Sequence, residues 1–88
     1  MVMPEVIMYS TRFCPYCMAA RQLLELKSVV YTEIFVDSSP ELRSEMVAKS
    51  GRYTVPQIWI GDTHIGGFDD INRLEHQGDL DSLLQANI

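Results

Sequence analysis

Basic residues are scarce in this chain. Seven Lys and Arg stand against twelve Asp and Glu, a formal net charge of -5. That balance disfavours nucleic acid as a partner, because binding to phosphate backbone is driven mainly by cationic side chains. Cysteine is scarcer still, and its two copies, Cys14 and Cys17, fall within one four-residue stretch. A secreted scaffold distributes its cysteines to staple distant segments. A bridge closing so small a loop restrains the unfolded chain very little, so stabilisation does not explain the pair. No apolar run approaches the roughly 20 residues a membrane span needs. The start, Met1-Val2-Met3-Pro4-Glu5, carries neither the basic residues nor the long apolar stretch of a signal peptide. A cytoplasmic protein with no membrane partner is expected. Repeats, linkers and low-complexity segments are absent as well.

Apolar residues, by contrast, make up 47% of the 88. That supports a packed core, and the length suits one domain over residues 1–88. Glu5 to Tyr9 is a short apolar run of strand length. A loop from Ser10 to Phe13 follows. Pro15 then sits where a first helical residue belongs, since its missing N–H has no intrahelical partner to lose. From Tyr16 to Lys27 the residues favour helix, with Cys17, Ala20, Leu23 and Leu24 forming an apolar stripe. Val29 to Val36 is rich in β-branched and aromatic residues and predicts a second strand.

Ser39-Pro40-Glu41 is a helix start of cap, proline and first-turn acid. Leu42, Met46 and Val47 should be its buried face, with Lys49 in its last turn and Gly51 at its end. Pro56 to Ile60 and Thr63 to Gly66, separated by Gly61-Asp62, form a hairpin pattern. Phe68 to Gln77 predicts a third helix ended by Gly78, after which Asp79 is placed to cap a short helix through Ala86. The order β-α-β-α-β-β-α predicts a parallel first pair, an antiparallel last pair and a right-handed crossover. The result is an α/β chain: a four-stranded mixed sheet flanked by helices, which resembles the thioredoxin-like layout.

The Cys-Pro-Tyr-Cys motif therefore straddles a loop-to-helix junction. Thiol–disulfide exchange needs an accessible thiolate. Cys14 stands where free helix N–H groups and the macrodipole favour negative charge. Arg12 and Arg21 are the only charged residues between Val6 and Leu24, and they add to that field. Cys17 lies one turn further on the same face, able to close a disulfide with Cys14, and points towards the domain body as the less reactive, resolving thiol. Zinc also uses this spacing, but two more ligands would be required. Outside the carboxylates only His64 and His76 are available, at a spacing that matches no common zinc pattern, so no metal is expected.

Four motifs, in order and at matching separations, give the chain a specific likeness: C-P-Y-C at Cys14 to Cys17, S-G-R at Ser50 to Arg52, T-V-P at Thr54 to Pro56, and G-G-F-D-D at Gly66 to Asp70. Over residues 5 to 84 the sequence resembles the glutaredoxins, of the dithiol class. The resemblance implies an enzyme that uses glutathione as co-substrate, with no tightly bound cofactor. Its protein partners would be disulfide-containing or glutathionylated proteins, acted on by a monomer. Cys14 and Cys17 would be catalytic.

Tyr16, Thr54, Val55, Pro56, Gly67, Phe68, Asp69 and Asp70 would bind glutathione. Val55, before a cis-proline, would pair with the cysteinyl unit as an added strand does. The start of the third helix would hold the γ-glutamyl carboxylate. Asp69 or Asp70 would accept from the ammonium. Plainer roles are open for the same residues: Asp69 and Asp70 as helix caps, Thr54-Val55-Pro56 as a strand entry, and Gly66-Gly67 as a flexible hairpin end.

Two positions depart from the family pattern. Thr11 stands where the family often has the Lys or Arg that meets the glycyl carboxylate, leaving Arg12, Lys49 or Arg52 to replace it. Phe13 is larger than the usual small residue before the first cysteine, suited either to touching a protein substrate or to narrowing the groove. His64 is expected at the surface, and Ile58, Trp59 and Ile60 in sheet packing. Two alternative functions are weighed. One is a redoxin reduced by a thioredoxin reductase. The other is an iron–sulfur scaffold, which Pro15 and Cys17 argue against, since family members that do this usually carry Gly or Ser within the motif.

Overall fold

A computed structural model describes residues 4–85. The elements run β1 (Val6–Ser10), α1 (Pro15–Leu26), β2 (Tyr31–Phe35), α2 (Pro40–Ser50), β3 (Gln57–Ile60), β4 (Thr63–Gly66), α3 (Phe68–Gln77) and α4 (Leu80–Leu84). The strands form one mixed sheet in the order β2-β1-β3-β4. β1 pairs parallel with β2 and antiparallel with β3, which pairs antiparallel with β4. This is the thioredoxin-like layout anticipated from the element order.

β1 is central and buried on both faces, which is why it reads as a continuous apolar run rather than an alternating one. Val6 and Met8 pack with Ala20 and Leu24 of α1, Ile58 and Ile60 of β3, Ile71 of α3, and Leu80 and Leu84 of α4. On the opposite face Tyr9 packs with Val36 and Met46, flanked by Ile7 and Trp59. Two helical layers thus sandwich the sheet, α1 and α3 on one side and α2 on the other.

Local signals set most boundaries. Ser39 Oγ accepts from Leu42 N–H at 3.2 Å, and Gly51 ends α2 in the left-handed region at φ 73°. α3 spans the range predicted for it, with Gly78 at φ 80° behind it. The differences have physical causes. β1 starts and ends one residue later than expected. β2 is shorter at both ends: the Val29 N–H is taken by the Leu24 carbonyl behind α1, Val30 is exposed to solvent, and Val36 lies just past the last paired residue, Phe35. β3 begins at Gln57, since Pro56 has no N–H to give a ladder. Asp79 makes no side-chain cap: its backbone is already near-helical, and its own N–H bonds to the Leu74 carbonyl. Ala86, the expected end of that helix, lies outside the described residues. No helix among them is long and apolar enough to cross a membrane.

One consequence of this topology positions the site. Because β1 and β3 are antiparallel with Tyr9 opposite Gln57, the loop leaving β1 and the segment entering β3 emerge at the same end of the sheet.

Candidate active site

The two cysteines occupy the start of α1 in different environments. Cys14 is the N-cap, with extended backbone at φ -99° and ψ 119°. Its Sγ accepts from the Cys17 N–H at 3.4 Å and its thiol donates to the Val55 carbonyl at 3.8 Å. It is partly exposed, whereas Cys17 is fully buried, and both are free thiols. Burial pushes the Cys17 thiol up to about 12, against the opposing pull of the Thr11 backbone. The geometry thus separates one reachable sulfur from one held neutral beneath it.

The expected field from two arginines is not what surrounds Cys14. Arg12 is paired with Asp37 at 3.1 Å, and Arg21 with Glu33 at 2.5 Å. Burial pushes the Glu33 carboxyl up, but the hydrogen bonds from Arg21 and from Ser10 Oγ, at 2.6 Å, outweigh it and hold the group below its ordinary value. Both carboxylates come from β2 or the turn after it, which the parallel β1–β2 pairing lays beside α1 and its preceding loop. The charge on each guanidinium is therefore largely met. The groups left facing the Cys14 sulfur are the helix N-terminus and the Cys17 N–H.

Beside the cysteines lies an open groove of about 310 Å³. Tyr16, Arg52, Thr54, Val55 and Pro56 form part of its wall, and Gly67, Phe68, Asp69 and Asp70 the rest. The structure thus brings together all eight groove residues expected from the sequence. The Val55–Pro56 bond is cis, as expected.

The two aspartates separate in role. Asp70 accepts from the Gly67 N–H at 2.9 Å and from Arg52 Nη1 at 2.9 Å, with Arg73 a further 3.5 Å away. The Gly67 hydrogen bond is the main reason its carboxyl lies below the ordinary range. Asp70 is therefore a cap and an anchor, while Asp69 is exposed on the groove wall. Gly66 makes that anchor fit. Its φ is 118°, and a Cβ there would run into the Asp70 carboxylate and come within 3.1 Å of Arg52 Nη1.

Among the three basic residues considered for the place of Thr11, only Arg52 lines the groove. Arg12 is held by Asp37, and Lys49 bonds to Tyr9 Oη at 3.3 Å near Glu45. Gln57 was not singled out from the sequence. Fully buried, it donates to the Thr54 carbonyl at 3.0 Å and to Thr54 Oγ1 at 3.3 Å, bracing the groove wall. Its Oε1 accepts from His64 Nε2 at 2.8 Å. His64 is accordingly half-buried and stacked 4.7 Å from Trp59, rather than a plain surface residue. An amide amid the apolar positions of β3 was the available signal, since a buried polar group needs partners.

The glutaredoxin family profile matches residues 6–65. The chain belongs to the glutaredoxin family. A glutaredoxin of Pseudomonas aeruginosa is 56% identical over 84 residues, covering 96% of this chain and all of that one. The solution structure of glutaredoxin from Brucella melitensis superposes with a TM-score of 0.86 at 49% identity, covering 98% of this chain and 94% of that one. A buckwheat glutaredoxin–glutathione complex superposes with a TM-score of 0.84 at 26% identity, covering 92% and 76%. Glutaredoxin membership makes the chain a thiol–disulfide oxidoreductase, in keeping with the reachable Cys14 sulfur one helical turn from Cys17.

Proposed function

We propose that this glutaredoxin is glutathione-dependent and reduces both protein disulfides and protein–glutathione mixed disulfides. The observation that carries the reading is the groove itself. The Cys14 thiol bonds to a carbonyl of its wall, and that wall offers one guanidinium, one uncommitted carboxylate and a helix start. Glutathione has two carboxylates, one ammonium and two peptide groups, and the complementarity is direct. Asp69 accepts from the ammonium. Backbone N–H groups in the first turn of α3 have no intrahelical partner and receive the γ-glutamyl carboxylate. The Val55 backbone pairs with the cysteinyl unit as an added strand would, with Thr54, Pro56, Gly67 and Phe68 shaping the site and Tyr16 beside the sulfur. Arg52, which lines the groove and gives only Nη1 to Asp70, turns its remaining guanidinium N–H groups to a carboxylate of the ligand. A relative solved as a glutathione complex supports the same assignment.

The chemistry follows from the two environments. The Cys14 thiolate attacks the glutathione sulfur of a mixed disulfide. The Cys14–glutathione bond forms, and the substrate thiolate leaves. A second glutathione thiolate then attacks the bound glutathione sulfur, releasing glutathione disulfide and restoring the Cys14 thiolate. With a protein disulfide the substrate stays attached through one sulfur. Cys17 gives up its proton and attacks Cys14, expelling the substrate thiolate and leaving an internal disulfide that two glutathione molecules reduce. Such a cycle suits the reducing cytoplasm and needs only one copy of the chain.

The test is NADPH-coupled turnover of a small glutathione mixed disulfide, run in parallel with glutathione plus glutathione reductase and with thioredoxin reductase. Turnover confined to the glutathione system is expected. Turnover confined to thioredoxin reductase would overturn the reading.

A further inference from the structure

We propose that Phe13 is a specificity-determining contact for protein substrates, receiving an apolar side chain next to the reacting cysteine of an extended substrate segment. The proposal rests on the exchange chemistry of Cys14 and not on the glutathione dependence proposed above. Of the chain's eight aromatic residues, three are exposed: Phe13 at 91%, Tyr16 at 61% and Tyr53 at 77%. All three belong to the segments that carry the reactive sulfur and the groove wall. A phenyl ring has no polar atom to gain from water, so this exposure forgoes the burial that such a ring ordinarily obtains.

Phe13 is not part of the groove wall, so it does not narrow the space for glutathione. Its neighbour Arg12 is tied to Asp37 at 3.1 Å and lies 5.1 Å over the Phe35 ring. The loop is anchored on that side while Phe13 itself stands free. The reaction then fixes where a substrate must lie. Cys14 Sγ has to reach bonding distance of a substrate sulfur, about 2 Å. Residues flanking that sulfur, about 3.3–3.6 Å apart per residue of extended chain, are thereby carried over the residues flanking Cys14. An apolar neighbour of the substrate cysteine meets the Phe13 ring, and a polar one leaves the ring wet. In the step concerned, the Cys14 thiolate attacks the substrate cysteine sulfur. The Cys14–substrate disulfide forms, the original S–S bond breaks, and the other sulfur departs as a thiolate.

The test uses two heptapeptides, each with a central cysteine joined to thionitrobenzoate by a disulfide. One carries leucine on both sides of the cysteine and the other serine. Reduced protein is mixed with each peptide without glutathione, and thionitrobenzoate release is followed by absorbance. The wild-type protein should react about tenfold faster with the leucine peptide, a factor within what burying one apolar side chain supplies. F13S should bring the ratio of the two rates below about twofold, and F13L should retain most of it. Taking the ratio cancels any effect of the variant on Cys14 itself. An unchanged ratio in F13S overturns the proposal. So does a concentration-dependent dimer in sedimentation that F13S dissolves, because the ring would then have a second copy as its occupant.

Discussion

The Asp70 carboxylate lies 2.9 Å from the Arg52 guanidinium and accepts the Gly67 N–H at the same distance. One side chain therefore starts α3 and holds the only guanidinium among the groove-lining residues. Asp70→Ala should cost about 1 kcal/mol of stability, the usual loss on removing a helix cap. It should also raise the KM for glutathione roughly tenfold, as expected when a charge-assisted contact loses its alignment. The rate of Cys14 alkylation by iodoacetamide should not change. Chemical denaturation, steady-state kinetics and alkylation rates read the three effects separately. An unaltered KM would place Asp70 outside glutathione binding.

Asp70 also makes a pH prediction. The Gly67 hydrogen bond lowers its pKa, burial opposes that, and Arg52 lowers it further. An acid whose folded pKa is depressed stabilises the fold above its unfolded value, ~3.9. That stability is lost as pH falls through the lower folded value. The gap in denaturation midpoint between wild type and Asp70→Asn should be constant from about pH 5 to 7 and shrink below about pH 4. A gap that stays constant well below that point would contradict the assignment.

Gly66 should tolerate no side chain. Its φ of 118° and the position of the Asp70 carboxylate both oppose a Cβ. Gly66→Ala should destabilise the fold by about 2 kcal/mol and reproduce the rise in KM seen with Asp70→Ala. Because the two residues act through one contact, the double variant should lose less than the sum of the single losses. Full additivity would show that Gly66 acts independently of Asp70.

Burial should keep Cys17 silent at neutral pH. In a Cys14→Ser variant, iodoacetamide should label Cys17 slowly, and thiolate absorbance should rise only far above the free-cysteine value of ~8.5, towards about 12. The sign for stability follows: a thiol held neutral by the fold contributes fully below its unfolded pKa, and that contribution disappears as pH rises through the folded value. A midpoint near the free value would mean that Cys17 is solvated.

The two cysteines should divide the activities. Cys14→Ser should abolish exchange, since the other sulfur is buried. Cys17→Ser should keep most removal of glutathione from mixed disulfides, where a second glutathione resolves the intermediate. It should lose most protein-disulfide reduction, where a thiol one turn away acts at high effective concentration. Loss of both activities in a folded Cys17→Ser protein would show that the single-thiol route is closed.

Much of the chain was legible in its residues because the deciding signals are local. Pro15 can only open a helix, Ser39 caps the next, and Gly51 and Gly78 take the left-handed conformation that ends one. Together with the spacing of the motifs, these placed Cys14 at a helix start and the groove segments in their order. What the tertiary structure decided was the state of each polar side chain in that frame. The sequence placed Arg12 and Arg21 near Cys14 but could not show that Asp37 and Glu33 meet their charges. Nor could it show that Asp70 is committed while Asp69 is paired with none of the described residues, that Arg52 faces the groove, or that Gln57 braces Thr54. Capping and turn rules act within a few residues of chain, whereas an ion pair forms between whatever groups the fold brings within about 4 Å. Arg21 and Glu33, twelve residues apart in sequence, meet only because β2 lies parallel beside β1 under α1.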